Sequence, residues 1–496
     1  MSTDKKMDWK RLLSSKRVSE FDSCNVKSKA SQFEDPRSPF ERDFDQITFS
    51  YPFRRLQDKT QVIPFPKLDF VHTRLTHSLE VASVGRSFGK LVANLIKEKQ
   101  GDEVLGEYTS SDIGALIAAA CLAHDIGNPP FGHSGEDSIS NYFIEGGKDL
   151  EGSLESKRFK DLSHFEGNAN GFRIITKNCG KGINPTCALL GTFTKYPRES
   201  YLEKVPNYGE EGIPKSQTKY GFFQAEKELF KKVAEELGLI KVDEVGDDDI
   251  AYHRHPLAFL MEASDDIAYG MIDFEDGCRL GLIDFDKKYG KIILRNKKNE
   301  KEEKEINKSP KEILCDIAKM DESFSCEKME SFEDYKQQLS YLRSKVINVL
   351  IHKCFEIFKR EYEDIMMGKF DKDLISCIDK EIINNLELIK VLIRKYVYQH
   401  PSVLESEASG FEVIEHLIKS FAMTSNICFS CGDKETAKQK KMRSLLPEEF
   451  QPTEDGVVKL EGEQIYNRML SILDYISGMT DKYAVHLYRR IIGIEI

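Results

Sequence analysis

Two histidines, an aspartate and a glutamate fall within thirteen residues of the stretch CLAHDIGNPPFGHSGE, Cys121 to Glu136. Imidazole and carboxylate together can hold a hard or borderline divalent metal, and histidine exchanges protons near neutral pH. Upstream, Ile113, Leu116, Ile117, Ala120, Cys121 and His124 recur at helical spacing, so His124 and Asp125 are expected to close the last turn of a buried helix. Asn128, Pro129, Pro130 and Gly132 break that helix, and the broken backbone can swing His133 and Glu136 round to face the same ion. A lone His-Asp pair also fits a hydrogen-bonded core histidine beside an incidental carboxylate. The surrounding acids, imidazoles and turn residues favour a site.

Other stretches must supply its walls. A long amphipathic helix is expected from Asp69 to Ile96, with Leu75, Leu79, Val84, Phe88, Leu91 and Leu95 inward and with Arg74 and His77 one turn apart. Gly85 to Lys90 superficially resembles a phosphate loop, but it is one residue short, lacks the following Ser/Thr and sits mid-helix. In HPLAFLMEASDDIAYGMIDFEDG, Asp265, Tyr269 and Asp273 stack at i, i+4 and i+8, opposite Leu260, Ala263, Ile267 and Met271. Buried, that line would be costly unless it met something polar; the other reading is a solvent stripe continued by Asp266, Glu275 and Asp276. His164 and Glu166 precede another turn-to-helix transition, and five of the 11 histidines (His72, His77, His124, His133, His164) lie within one hundred residues. Arg54, Arg55, Gln57, Lys59 and Gln61 form a donor-rich short helix suited either to phosphate or to solvent. Residues 191–220, rich in Lys, Tyr, Pro and Gly, fit a loop over a ligand or a surface loop equally well.

The composition is that of a soluble globular chain: 496 residues, 31% charged, 40% hydrophobic. A net charge of -11 argues against a constitutive nucleic-acid coat protein, although the basic run Lys434 to Arg443 is a candidate contact for single-stranded nucleic acid, or else a solvated loop. Met1 to Lys16 has no apolar signal region, and the longest apolar run, Ile113 to Ala123, is too short for a bilayer, so no membrane partner is expected. The 11 cysteines are odd in number and scattered through apolar patterns, the usage of a reducing cytoplasm. Cys428 and Cys431 form one CxxC without a second pair, which reads as structural. The expected fold is all-α: an N-terminal segment 1–39, a helical core 40–285 carrying the site, and a C-terminal helical region 286–496 packed on it, with Asp286 to Lys311 an exposed excursion and Ile465 to Ile492 helical.

Six segments, in order, resemble the bacterial dGTP triphosphohydrolases of the HD superfamily of metal-dependent phosphohydrolases: FRRLQDKTQV, TRLTHSLEVASVGR, LAHDIGNPPFGHSGE, SHFEGNANGFRI, LMEASDDIAYGMIDFEDG and DYISGMTDKYA. The resemblance runs from about residue 40 to the C-terminus. It implies His77, His124, Asp125 and Asp265 as ligands of one divalent ion (Mn, Mg, Co or Fe), His133 and Glu136 as a catalytic pair, and His164 close to the phosphates. It implies Arg74, Lys195 and Tyr196 as phosphate contacts, Gln61 and Asp273 as holders of the sugar 3′-hydroxyl, and Tyr269 as a platform that excludes a 2′-hydroxyl. Glu407 corresponds loosely to a base-reading residue. A cation-rich wall of Arg54, Arg74 and Lys195 would offset a triphosphate's charge. The family further implies a homo-oligomer, plausibly a hexamer. The 280–310 and 428–443 stretches do not follow its pattern.

The expected reaction is metal-assisted attack of water on the α-phosphorus of a deoxynucleoside triphosphate, preferably dGTP, giving deoxynucleoside and tripolyphosphate. Two alternatives remain: an HD phosphohydrolase acting on a monophosphate, cyclic dinucleotide or alarmone, and a single-stranded nucleic-acid binder that uses the site as a nucleotide sensor.

Overall fold

The computed structural model describes residues 5–21, 35–62, 71–146, 148–177, 183–204, 213–243, 245–295, 301–425, 436–451 and 462–494. Cys428, Cys431, Lys434, Asp69 and part of the 191–220 stretch lie outside them.

Local sequence sets the helix starts. Ser38 caps α1 (Pro39–Phe49), its hydroxyl accepting the Glu41 N–H while the Glu41 side chain reaches back, and Ser50 caps α2 (Tyr51–Arg55). Thr73 forms the same reciprocal cap with Thr76, so the long helix α3 begins at Arg74 and runs to Gln100. Thr109 and Asp112 cap α4 (Ser110–Ala123), which ends at His124 as expected. The glycines that resemble a phosphate loop are packing residues: a Cβ on Gly89 would lie 2.5 Å from the Gly114 Cα, and one on Gly85 would lie 2.6 Å from Cys121 Sγ. Only bare backbone lets α3 and α4 cross so closely. The inward face of α3 holds Val84, Phe88 and Leu95, with Leu75 and Leu91 packed partly buried beside them, but one expected residue departs. Leu79 is 48% exposed, whereas His77, Ser78, Val81, Val84, Phe88, Val92 and Leu95 are buried, because the helix turns its polar first turn toward the site.

The chain continues through α5 (His133–Asn141), α6 (Ser156–Ser163), α7 (Gly167–Lys177), α8 (Cys187–Phe193) and α9 (Pro256–Arg279). Glu275 and Asp276 on α9 are buried, bonded to Arg279 and Arg343 and to His72, which excludes the solvent-stripe reading for that end of the helix. The expected exposed excursion contains an antiparallel hairpin, β1 (Gly290–Arg295) with β2 (Lys301–Ile306), the only sheet among the described residues. Ile292, Leu294 and Ile306 point inward and Ile293 is exposed, a two-residue alternation hidden by charged flanks. Helices then resume: α10 (Tyr335–Arg360), α11 (Pro401–Ser425), α12 (Ala437–Arg443), α13 (Gly462–Ser477) and α14 (Asp481–Ile491). The fold is all-α. No helix among the described residues is long and apolar enough to cross a membrane.

Two large hydrophobic cores organise the chain. The first gathers α3, α4 and α9 with residues as early as Met7 and Trp9 and as late as Val397. The second joins α5 and α6 to α11, α13 and α14. The turn between α4 and α5, with the site, lies where the two cores meet.

Candidate active site

A cavity of about 530 Å³ opens where α3, α4 and α9 converge. His77 comes from the first turn of α3, His124 and Asp125 from the end of α4, and Asp265 from mid-α9. His77 Nε2 is 3.2 Å from Asp265 Oδ1, and His124 Nε2 is 3.5 Å from both Asp265 Oδ1 and Asp125 Oδ1. Neighbouring oxygen ligands 2.0–2.1 Å from an octahedral centre sit about 3 Å apart, so these spacings are close to those of a coordination sphere. The ligand atoms of His77, His124 and Asp125 all lie within 4.8 Å of one another. His124 Nδ1 is 2.6 Å from the Cys121 carbonyl, which only accepts; the proton is therefore on Nδ1 and the Nε2 lone pair faces the acids. Among the described residues, His77 Nδ1, Arg74 Nε and Gln61 Oε1 are buried at the cavity wall without a hydrogen-bond partner. Such orphans are rare and mark a site built to receive something polar. Two imidazoles and two carboxylates fit one divalent ion with positions left for oxygen.

The charges are arranged to keep both acids ionised. Burial alone would raise the Asp125 pKa, but Arg74, with Nη1 2.9 Å from Oδ2, and the two imidazoles hold it below the usual carboxylate range. Asp265 is likewise held down against burial by His124, His77 and Lys195. Asn128 Nδ2 donates to Asp125 Oδ1 at 2.5 Å and fixes its rotamer.

Beyond the turn, His133 Nδ1 is 2.9 Å from Glu136 Oε2, and Glu136 Oε1 accepts the Gly167 N–H at 2.8 Å. Glu136 is buried and anchored, while the His133 side chain is 83% exposed at the cavity wall. The bond to Glu136 raises the His133 pKa, and His133 outweighs the burial that would raise that of Glu136. Opposite, Lys195 Nζ lies 3.3 Å from Glu262 Oε1 and above the Tyr196 ring, with Glu262 backed by Arg254. Lys195 is partly buried, yet Glu262 and its neighbours keep it strongly basic. The arrangement brings a cluster of imidazoles and carboxylates that could hold a metal, a histidine–glutamate pair and several cations into one cleft.

The region from Arg74 to residue 192 matches the HD domain, and residues 377–490 match the phosphohydrolase-associated domain. Over 99% of its length the chain is 38% identical to a deoxyguanosinetriphosphate triphosphohydrolase-like protein of Synechocystis sp., all of which is covered. It is 34% identical to one of Listeria innocua, again over 99% of this chain and 100% of that protein, and 32% identical to one of Pseudomonas aeruginosa, over 98% and 99%. The chain belongs to this HD-domain family of dGTP triphosphohydrolase-like proteins. It is thereby placed among HD hydrolases, whose domain is metal-dependent.

In this HD protein the cavity is lined by Gln61, Arg74, His77, His124, Asp125, His133, Glu136, Lys195, Tyr196, Asp265, Tyr269 and Glu407. Three expected groups lie elsewhere. His164 is exposed at the end of α6, its ring bonded to Lys160 and Ser163, and it does not line the cleft. Arg54 lines a separate cavity of about 830 Å³ with Arg37, Arg42 and Arg55. Asp273 is 2% exposed and does not reach the cleft: the Tyr398 hydroxyl bonds to its Oδ2 and lies 2.8 Å from the Tyr269 hydroxyl. Burial pushes the Asp273 carboxyl up to about 7. Sequence reasoning missed Tyr398 as a cavity residue, along with Lys219 and Asn128. Asn128 sits inside the central motif and was legible there. Lys219, 3.0 Å from Glu166, comes from the Lys/Tyr-rich loop, and nothing in its own neighbours distinguishes it. The described part of the basic run is the short, exposed helix α12.

Proposed function

We propose that the chain hydrolyses deoxynucleoside triphosphates, preferably dGTP, to deoxynucleoside and tripolyphosphate in this cleft. The observation that carries the reading is the convergence of His77, His124, Asp125 and Asp265 beside the His133–Glu136 pair. Those four side chains would hold one divalent ion, Mn, Mg, Co or Fe, which when bound supplies Lewis-acid stabilisation of charge on phosphate oxygen. His133, fixed by Glu136 and lining the same cavity, would give or take a proton at the attacking water or the departing 5′-oxygen. Arg74, Lys195 and Lys219 place cations on three sides of the cleft, and Tyr196 lies under Lys195. Tyr269 forms the wall next to His77, with ring centroids 6.3 Å apart, and supports the role of sugar platform. Gln61 offers a partnerless carbonyl oxygen for a sugar hydroxyl, while Asp273 acts through Tyr398. Glu407 on α11 stands at the rim, where a base would lie.

The test is incubation of the purified protein with Mn²⁺ and each of the four dNTPs and GTP, with products separated by anion exchange. Tripolyphosphate and deoxyguanosine, with GTP intact, are the expected result. Release of pyrophosphate or monophosphate, or no turnover, would assign the HD site to another substrate.

A further inference from the structure

The turn that presents His133 is held by a side chain from the far end of the chain. Asp481, the first residue of α14, is 2% exposed. Its Oδ1 accepts the Phe131 N–H at 3.0 Å and its Oδ2 accepts the Thr60 N–H at 2.9 Å. One carboxylate thus joins the residue before Gln61 to the residue two before His133. Phe131 has φ 63°, the only positive φ outside glycine among the described residues, a conformation that L side chains adopt only when their surroundings impose it. Here the surroundings are specific. Asp481 takes the amide, and Gly410 on α11 leaves space for the ring, since a Cβ there would meet Phe131 Cγ at 2.7 Å. The other polar groups of the turn are held as well: Lys59 Nζ donates to the Asn128 carbonyl at 2.6 Å and to the Ser477 carbonyl at 2.7 Å, and Asn170 donates to the Gly127 carbonyl at 2.7 Å. Asp481 belongs to the DYISGMTDKYA segment, for which the cleft itself offers no chemical task, since none of these residues lines it.

We propose that Asp481 is a positioning residue: from the C-terminal helices it fixes the Phe131 and Thr60 amides, and through them sets His133 and Gln61 relative to the metal corner. The inference rests on the proposed reaction for its kinetic consequence, but the geometry it describes is independent of the substrate. The C-terminal region is then part of the catalytic apparatus, and its docking assembles the cleft.

The experiment compares Asp481→Ala, Asp481→Asn and, as a control on the same helix, Lys482→Ala in the full-length Mn²⁺-loaded protein. Turnover of dGTP, Mn²⁺ affinity and thermal midpoint are measured, and the His133 titration is followed by NMR of ¹⁵N-histidine-labelled Mg²⁺-loaded protein. For Asp481→Ala, kcat falls on the order of 10²-fold, as for an active-site group displaced by about 1 Å, while KM and Mn²⁺ affinity stay within about threefold. The His133 midpoint moves down toward free histidine as its contact with Glu136 opens. Asp481→Asn, which keeps one acceptor, falls between, and carries the test if the alanine variant does not fold; Lys482→Ala matches wild type. Unchanged kcat, or a loss that tracks only the folded fraction with the His133 midpoint unmoved, overturns the proposal. A wild-type protein without dNTP turnover would defeat the functional reading instead, and the His133 midpoint would still decide the role of Asp481.

Discussion

His77 Nε2 and Asp265 Oδ1 stand 3.2 Å apart although 188 residues separate them in the chain. The pair comes from two different helices, and in the proposed site both residues hold the ion. Replacing His77 or Asp265 with Ala is expected to reduce Mn²⁺ affinity by more than the roughly 10–100-fold lost with an outer-shell partner. Titration calorimetry measures this. Chelation should abolish turnover in the wild-type protein, and added Mn²⁺ should restore it.

His133 acts beside that corner, not within it. His133→Ala should lower kcat by about 10²–10⁴-fold with Mn²⁺ binding intact. Near-normal turnover would remove His133 from the mechanism. Glu136→Gln tests the pairing through pH. Because the bond to Glu136 raises the His133 pKa, the amide should shift the His133 limb of the kcat profile to lower pH.

Gly132 follows Phe131 with φ 60°, and a Cβ there would lie 2.8 Å from Arg74 Nη2. Gly132→Ala therefore combines backbone strain of about 1–3 kcal/mol, at φ 60° and ψ −128° where L residues are rarely found, with displacement of the guanidinium that pairs with Asp125. Urea melts should show the destabilisation, and KM for the triphosphate should rise. A variant with wild-type stability and KM would show that Arg74 has room to move.

Tyr398 links Tyr269 to a buried carboxylate. Tyr398→Phe leaves Asp273 without that donor, at a stability cost of about 1–3 kcal/mol, and frees the Tyr269 ring. The ratio of kcat/KM for dGTP over GTP should fall. An unchanged ratio would mean that sugar selection rests on Tyr269 alone.

Acid sensitivity should come in part from His255, far from the cleft. It is 1% exposed, with Nε2 3.1 Å from the Leu12 carbonyl and Nδ1 accepting the Leu257 N–H at 3.1 Å. The bond accepted by Nδ1 requires the neutral ring, and burial, outweighing the bond to Leu12, lowers its pKa to about 4. Between pH 6.5 and 4 the unfolded chain binds a proton that the folded chain refuses, so this contribution to stability falls as pH falls, by about 2 kcal/mol at pH 5. Denaturant melts at pH 7 and pH 5 should show that difference shrinking in His255→Asn.

Much of the metal corner was legible in the sequence. His124 and Asp125 end an apolar helical pattern, His77 and Arg74 share a turn, and Asp265 and Tyr269 share a face; these follow from local periodicity, which fixes direction within one helix. The all-α class follows from the same signal. Tertiary structure decided what periodicity cannot carry. Leu79 fits the apolar pattern of α3 yet is exposed, and the close crossing of α3 and α4 rests on Gly85 and Gly89, whose partners lie on another helix. The hairpin at 290–306 was masked by charge, because only one side of it is buried. Asp273 and Arg54 carry the right chemistry at the right spacing, yet one is covered by Tyr398 and the other faces a second cavity. Asp481 reads in sequence as an ordinary acidic residue in the first turn of a helix; only the packing of the second core, which holds Phe131 together with Met479 and Ala484, brings it to Phe131, 350 residues away.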